Sequence, residues 1–175
     1  MGYCGDTHSL YIARSGKKRK DIRMIDLVHK SITHISSPSD FIRSGGILNG
    51  SRSMYFVYRD ESLHCLDFDS KKMREVLRPN SLKGYSKHFI ASENRFFLFG
   101  EDGVATFDPS TAYLEKFSTE AWDDCINIGA MEPKELECFL IITKEGQLVL
   151  WDSRTNYSRI VSNWNEDWKD ASASF

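Results

Sequence analysis

The chain is predicted to be all-β, and two observations carry that expectation. Four stretches repeat one pattern, an apolar run, a tight turn, a second apolar run and an aspartate. The aspartates, taken as Asp26, Asp69, Asp108 and Asp152, are spaced by 43, 39 and 44 residues. The runs are rich in Phe, Tyr, Ile and Val and are bounded by turn residues, as strands are. A period of about 40–45 residues with several strands per copy is the signature of β-propeller blades. The expected architecture is about four blades of four antiparallel strands, forming either a closed small ring or part of a larger one. A non-propeller sandwich is the alternative.

The upstream runs are Leu10-Tyr11-Ile12, Met54 to Tyr58, Phe96 to Phe99 and Phe139 to Ile142. Turn chemistry follows each: Ser15-Gly16, Arg59-Asp60-Glu61, Glu101-Asp102-Gly103 and Lys144-Glu145-Gly146. Gly adopts positive φ freely and Asp tolerates it, so these read as hairpin loops. The third copy resolves into strands at 87–91, 96–99, 104–107 and 113–117. First strands of the second and fourth copies are expected near 46–48 and 126–130. Only residues 1–7 precede the second strand of the first copy, so that copy is expected to lack an inner strand. An unmatched blade edge would expose unpaired backbone groups.

Blades are placed near 1–36, 39–79, 82–118 and 122–162, followed by a Trp-containing acidic tail at 163–175 whose last residues are expected to be disordered. At 175 residues the chain can bury one core without a linker. A ring completed by a partner and a truncated product are both compatible with that length.

The run Leu148-Val149-Leu150-Trp151-Asp152 is similar to the strand ending of a WD40 blade. Cys65 to Asp69 and Thr106-Phe107-Asp108 resemble the weaker pattern shared by WD40 and quinoprotein-type propellers. The resemblance covers most of residues 8–162 and makes Asp26, Asp69, Asp108, Asp152 and Trp151 structural repeat anchors. The Gly-His pair that usually opens a WD40 blade is absent from all four copies, and a kelch reading has only Gly45-Gly46. Members of these families are mostly assembly platforms, and the resemblance implies that role here.

A net charge of −2 with 27% charged residues gives no bulk basic excess for wrapping nucleic acid. No apolar stretch approaches the ~20 residues of a spanning helix, and the N-terminus does not read as a secretory signal. Cys4, Cys65, Cys125 and Cys138 lack paired spacing and read as reduced thiols. The expected location is therefore cytoplasmic, with a nuclear option opened by Lys17-Lys18-Arg19-Lys20, whose functional reading is an import signal or an anion-binding loop. The plainer reading of that run is a solvated hairpin tip. The sequons at Asn49 and Asn156 read as chance matches, and Met1-Gly2-Tyr3-Cys4 as a frayed terminus, since Asp6 stands where acylation asks for Ser or Thr.

Trp164 and Trp168 sit among acids. Their i, i+4 spacing suits a short helix capping the last blade; the rival is an exposed linear motif entering a partner's pocket, with Trp as anchor. The five histidines fall in unrelated places, and no nucleophile elbow, phosphate loop or zinc motif occurs. Asp67 and Asp69 would share one strand face and could hold a cation or act as acid and base, but a turn-closing Asp69 beside a solvent-facing Asp67 is the better account. No catalytic residue, metal or cofactor is expected. Two functions follow. The first is a non-enzymatic module binding proteins through loops, Trp164, Trp168 and Lys17 to Lys20, with a partner or a second copy able to complete the ring. The alternative is a small-molecule or glycan-binding propeller, with or without hydrolytic activity, using an aromatic-lined central pocket.

Overall fold

The computed structural model describes residues 2–5, 7–14, 21–37, 42–48, 51–92, 94–117, 125–130, 137–143 and 146–162. The described residues form sixteen strands and no helix. The first sheet contains β1 (Gly2–Cys4), β2 (Ser9–Arg14), β3 (Asp21–Asp26) and β4 (Ser31–Ser36). The second contains β5 (Ile42–Ile47), β6 (Ser53–Tyr58), β7 (Leu63–Asp67) and β8 (Met73–Leu77). In the third are β9 (His88–Ala91), β10 (Phe96–Gly100), β11 (Gly103–Asp108) and β12 (Tyr113–Phe117). The fourth holds β13 (Cys125–Ala130), β14 (Cys138–Thr143), β15 (Leu148–Asp152) and β16 (Tyr157–Ser162). Each sheet is an antiparallel meander in chain order, and none closes on itself. This is a propeller-like arrangement of four four-stranded units.

Hairpin chemistry sets the units. Glu61, Gly103 and Gly146 close the second-to-third-strand turns at φ of 63°, 118° and 77°, the conformation the turn sequences anticipate. The first strands stand side by side, β1 next to β5, β5 next to β9 and β9 next to β13. Gly46 permits one of these approaches: a Cβ there would lie 3.2 Å from the Phe89 ring and 3.4 Å from Ala91.

The first sheet has the inner strand it was expected to lack. Residues 2–4 suffice, because Gly2, Tyr3 and Cys4 pair with Tyr11, Leu10 and Ser9. Cys4 is buried in the core beneath them, which fixes the short strand by packing as well as by its ladder.

Three buried clusters lie between successive sheets. Tyr11, Ile22 and Met24 of the first sheet meet Met54, Phe56, Leu66 and Phe68 of the second. Tyr55, Val57, Leu63 and Cys65 on its other face meet Phe96, Leu98, Ala105 and Phe107. Phe97, Phe99 and Val104 then meet Phe139, Ile141, Val149 and Trp151. The two middle sheets are thus buried on both faces, which explains the unbroken apolar runs Met54 to Tyr58 and Phe96 to Phe99. Burial alternates along β3, β14 and β15, which bury one face only. Among the described residues, no buried cluster joins the fourth sheet to the first.

Candidate functional site

The repeat aspartates build turns. Asp26 accepts from the backbone N–H groups of Val28 (2.9 Å) and His29 (2.8 Å). Asp108 accepts from Ser110 N–H and Oγ at 2.8 and 2.7 Å, and Asp152 from Arg154 N–H at 2.9 Å. In the second sheet this role belongs to Asp67, not Asp69. β7 ends at Asp67, which accepts from Ser70 N–H and Oγ, both at 2.7 Å. Asp69 lies beyond the strand and is exposed, paired with the Arg52 guanidinium, whose Nε is 3.0 Å away. The two carboxylates have separate partners rather than a shared strand face. Phe68 between them stacks on Tyr11 at a centroid distance of 4.2 Å, so the chain leaves the ladder at Asp67 to bury that ring.

Hydrogen bonds to the ionised form hold these carboxyls below the ordinary range. At Asp26 the His29 N–H acts most strongly, at Asp67 the Ser70 N–H, and at Asp108 the Ser110 hydroxyl. At Asp152 burial pulls upward, and the bonds from Arg154 outweigh it. Depressed carboxyls bind fewer protons folded than unfolded, so their stabilisation is complete above pH of about 4 and is lost as the pH falls below it. His64 behaves alike near neutrality: burial lowers its pKa, so the unfolded chain takes up its proton first, below pH of about 6.5. The urea midpoint is therefore expected to fall in two limbs on acidification, and His64→Phe should remove the upper limb. A midpoint flat from pH 7 to 3 would contradict both.

His64 belongs to a constellation that the sequence search missed. Its Nε2 lies 3.1 Å from Ser62 Oγ, which donates to Asp60 at 2.6 Å. Ser, His and Asp are present, but their connection is not that of a nucleophilic triad, where the carboxylate holds the other nitrogen of the imidazole. Here Asp60 accepts the hydrogen bond of the serine hydroxyl, and His64 Nδ1 is buried without a partner. Ser62 is fully buried, beyond the reach of a substrate. Asp60 also accepts from Ser62 N–H, and His64 packs edge-on against Tyr58. The group closes the β6–β7 turn.

Trp151 is buried at the junction of the third and fourth sheets, facing Phe97, Phe99 and Phe139. Its indole N–H donates to Asn156 at 3.1 Å. At the same junction Arg95 pairs with Glu137, which also accepts from Ser92 and Ser153. Burial alone would raise the Glu137 carboxyl, but Arg95 and the two hydroxyls outweigh it and hold it low. These groups clamp one sheet to the next.

Two features face outward. An open cleft of about 530 Å³ lies between β4 and the β7–β8 turn, with Ile35 and Met73 among its apolar lining and Lys71 and Lys72 on one side. The other feature is the outer faces of the end sheets. Tyr3, Leu10, Ile25 and Ile32 are register partners in one row across all four strands of the first sheet. Leu140 pairs with Leu150, and Ile142 with Leu148, across the fourth. Tyr3 and Ile32 are more than half exposed, and the rest are half-buried. Lys17, Lys18, Arg19, Lys20, Trp164 and Trp168 lie outside the described residues. Among the described residues no three His, Cys, Asp or Glu side chains converge as metal ligands.

No protein-family model matches the chain, and no curated protein matches it. Solved structures do match in fold. One is the extracellular domain of what is described as a one-component system of B. thetaiotaomicron, with TM-score 0.66 and 12% identity over 88% of this chain and 22% of that one. Another, the extracellular domain of a protein described as a hybrid two-component system of the same organism, gives 0.60 and 12% over 89% and 22%. PorZ, a bacterial surface component of the type-IX secretion system of Porphyromonas gingivalis, gives 0.54 and 14% over 88% and 24%. At these identities the likeness shows the fold alone. The chain spans less than a quarter of each neighbour. No WD40 or quinoprotein family is among these findings, so what stands of that resemblance is the propeller-like repeat. The expected cytoplasmic or nuclear location is corrected: these neighbours are extracellular or surface domains, which points away from it.

Proposed function

We propose that the chain is a non-catalytic binding module, an arc of propeller blades that engages protein through the open faces of its first and last sheets, outside the cell or on its surface. One observation carries the reading. A sheet face that meets water is normally polar at alternate positions, yet Leu10, Ile25, Leu140 and Leu150 stand where those polar residues would be. The outer faces are composed like the faces that are buried. The extracellular setting rests on the company the fold keeps. The test is photo-cross-linking in the host, with benzoylphenylalanine at Ile25, at Leu140 or at exposed Glu101. Protein adducts are expected at the first two positions and not at the third. No adduct from either sheet face would overturn the reading.

A small-ligand function has the cleft beside β4 in its favour. Calorimetry with neutral and acidic oligosaccharides would then show heat that Lys72→Ala abolishes, and an absence of heat would remove this second reading.

A further inference from the structure

We propose that the outer edge of β4 is a docking edge, to which an extended acidic segment of a partner protein adds as a fifth strand of the first sheet. This surface is separate from the sheet faces that carry the binding reading, so either can fail alone. β4 is the outer strand of its sheet, and its ladder runs to β3 alone. A strand so placed presents a row of unpaired N–H and C=O groups along its other edge. The sheets of this fold meet face to face through the buried clusters, and a junction of that kind leaves an outer edge uncovered.

Among the described strands, four hold this outer position, and three of them are blunted. β8 slips register at Val76 and carries exposed Arg74 and Glu75. β12 carries exposed Glu115 and Lys116. β16 slips register at Val161 and carries exposed Arg159. Bulges and charged side chains are the devices that keep an edge from pairing with a foreign chain. β4 has neither a bulge nor a Lys, Arg, Asp, Glu or Pro. Its residues, Ser31-Ile32-Thr33-His34-Ile35-Ser36, pair with β3 in unbroken register, and Ile and Thr suit an extended backbone.

The cleft of about 530 Å³ runs along this edge. Its β4 wall is made by the consecutive residues 33–37. Side chains alternate between faces along a strand, so a cleft on one face would be lined by every second residue. Consecutive lining therefore places the cleft at the edge, where the unpaired backbone lies. The opposite wall is Lys71, Lys72 and Met73, and no Asp or Glu lines the cleft. Both lysines are exposed, and neither forms an ion pair with another described residue. The acids on the neighbouring strand and turn are engaged elsewhere: Asp21 with His34 and Arg23, Asp67 with Ser70, and Asp69 with Arg52. An added strand with acids at alternate positions would satisfy the backbone of β4 and bring those acids to the lysines. In such additions the main-chain bonds give affinity, and complementary charge selects the partner.

Fluorescence anisotropy tests this with a short labelled peptide of alternating Glu and Val, titrated with the purified chain. Saturable binding is expected. Lys71→Glu combined with Lys72→Glu, at exposed positions that leave the core intact, should weaken it at least about 10-fold. Of two peptides N-methylated at every Glu or at every Val, one should lose binding and the other keep it, because successive N–H groups of a strand point to opposite sides. No saturable binding up to about 1 mM overturns the proposal, as does an unchanged affinity in the double lysine variant. Equal binding of both N-methylated peptides would reduce the contact to charge and overturn strand addition. Equal binding of a peptide alternating Thr and Val would overturn the acidic partner. Displacement of the Glu-Val peptide by tetragalacturonate would give the cleft to a small ligand and overturn it also.

Discussion

Trp151→Ala is expected to lower stability by about 3–5 kcal/mol, the range for truncating a large buried aromatic. The residue is 1% exposed, and its ring centroid lies 5.6–6.0 Å from those of Phe97, Phe99 and Phe139. Removing the indole opens a cavity bordered by rings that cannot all move inward, and it strips Asn156 of its donor. The damage should be local, because the fourth sheet has a single internal junction. Hydrogen exchange should quicken in β13 to β16 while β6 and β7 keep their protection. A urea midpoint near that of the wild type, or uniform loss of protection across all four sheets, would contradict this account.

Gly100→Ala is the second large effect. A Cβ at Gly100 would lie 2.1 Å from the carbonyl oxygen of Gly84, 2.7 Å from its carbonyl carbon and 2.8 Å from Tyr85 Cα. These are backbone atoms and cannot swing aside. The Gly84 carbonyl accepts from Asp102 N–H, Tyr85 N–H donates to the Leu82 carbonyl, and Leu82 is buried. Relief therefore requires moving either the 82–85 segment or the end of β10. The expected cost is at the upper end of the ~1–3 kcal/mol of overpacking, or more. Gly5→Ala, whose Cβ meets nothing within 4 Å, should stay within about 0.5 kcal/mol of wild type. Equal thermal midpoints for the two variants would show that the 82–85 segment yields freely.

Strand positions were legible where turn residues punctuate them. The third copy was read at 87–91, 96–99, 104–107 and 113–117, and the strands run over His88–Ala91, Phe96–Gly100, Gly103–Asp108 and Tyr113–Phe117. Legibility failed where tertiary packing decided. The sequence pattern favours Asp69 as the turn-closing anchor, whereas the burial of Phe68 against Tyr11 ends β7 at Asp67 and gives Asp67 that role. With Asp67, the first two spacings become equal at 41 residues, a regularity that could have selected it. The three residues of β1 were too few to show periodicity. The Glu137 clamp was invisible because Arg95 lies 42 residues away in sequence. The outer faces of the end sheets were legible only in part: Leu10, Ile25, Leu140 and Leu150 read as strand residues, but only the arrangement of sheets shows that they stand outside the buried clusters of the described residues.

The chain-ordered meanders carry a consequence for biosynthesis. Every buried cluster joins only sheets that are adjacent along the chain, so no core waits for a distant segment. Once β8 has emerged from the ribosome at residue 77, all the buried residues of the first cluster are available, the farthest being Phe68. Folding can then proceed vectorially, each new meander condensing on the last, as domains form N-terminal first during synthesis. Stability accrues junction by junction, as in linear repeat arrays. Each nascent intermediate ends in one freshly exposed apolar sheet face, which only the arrival of the next meander conceals.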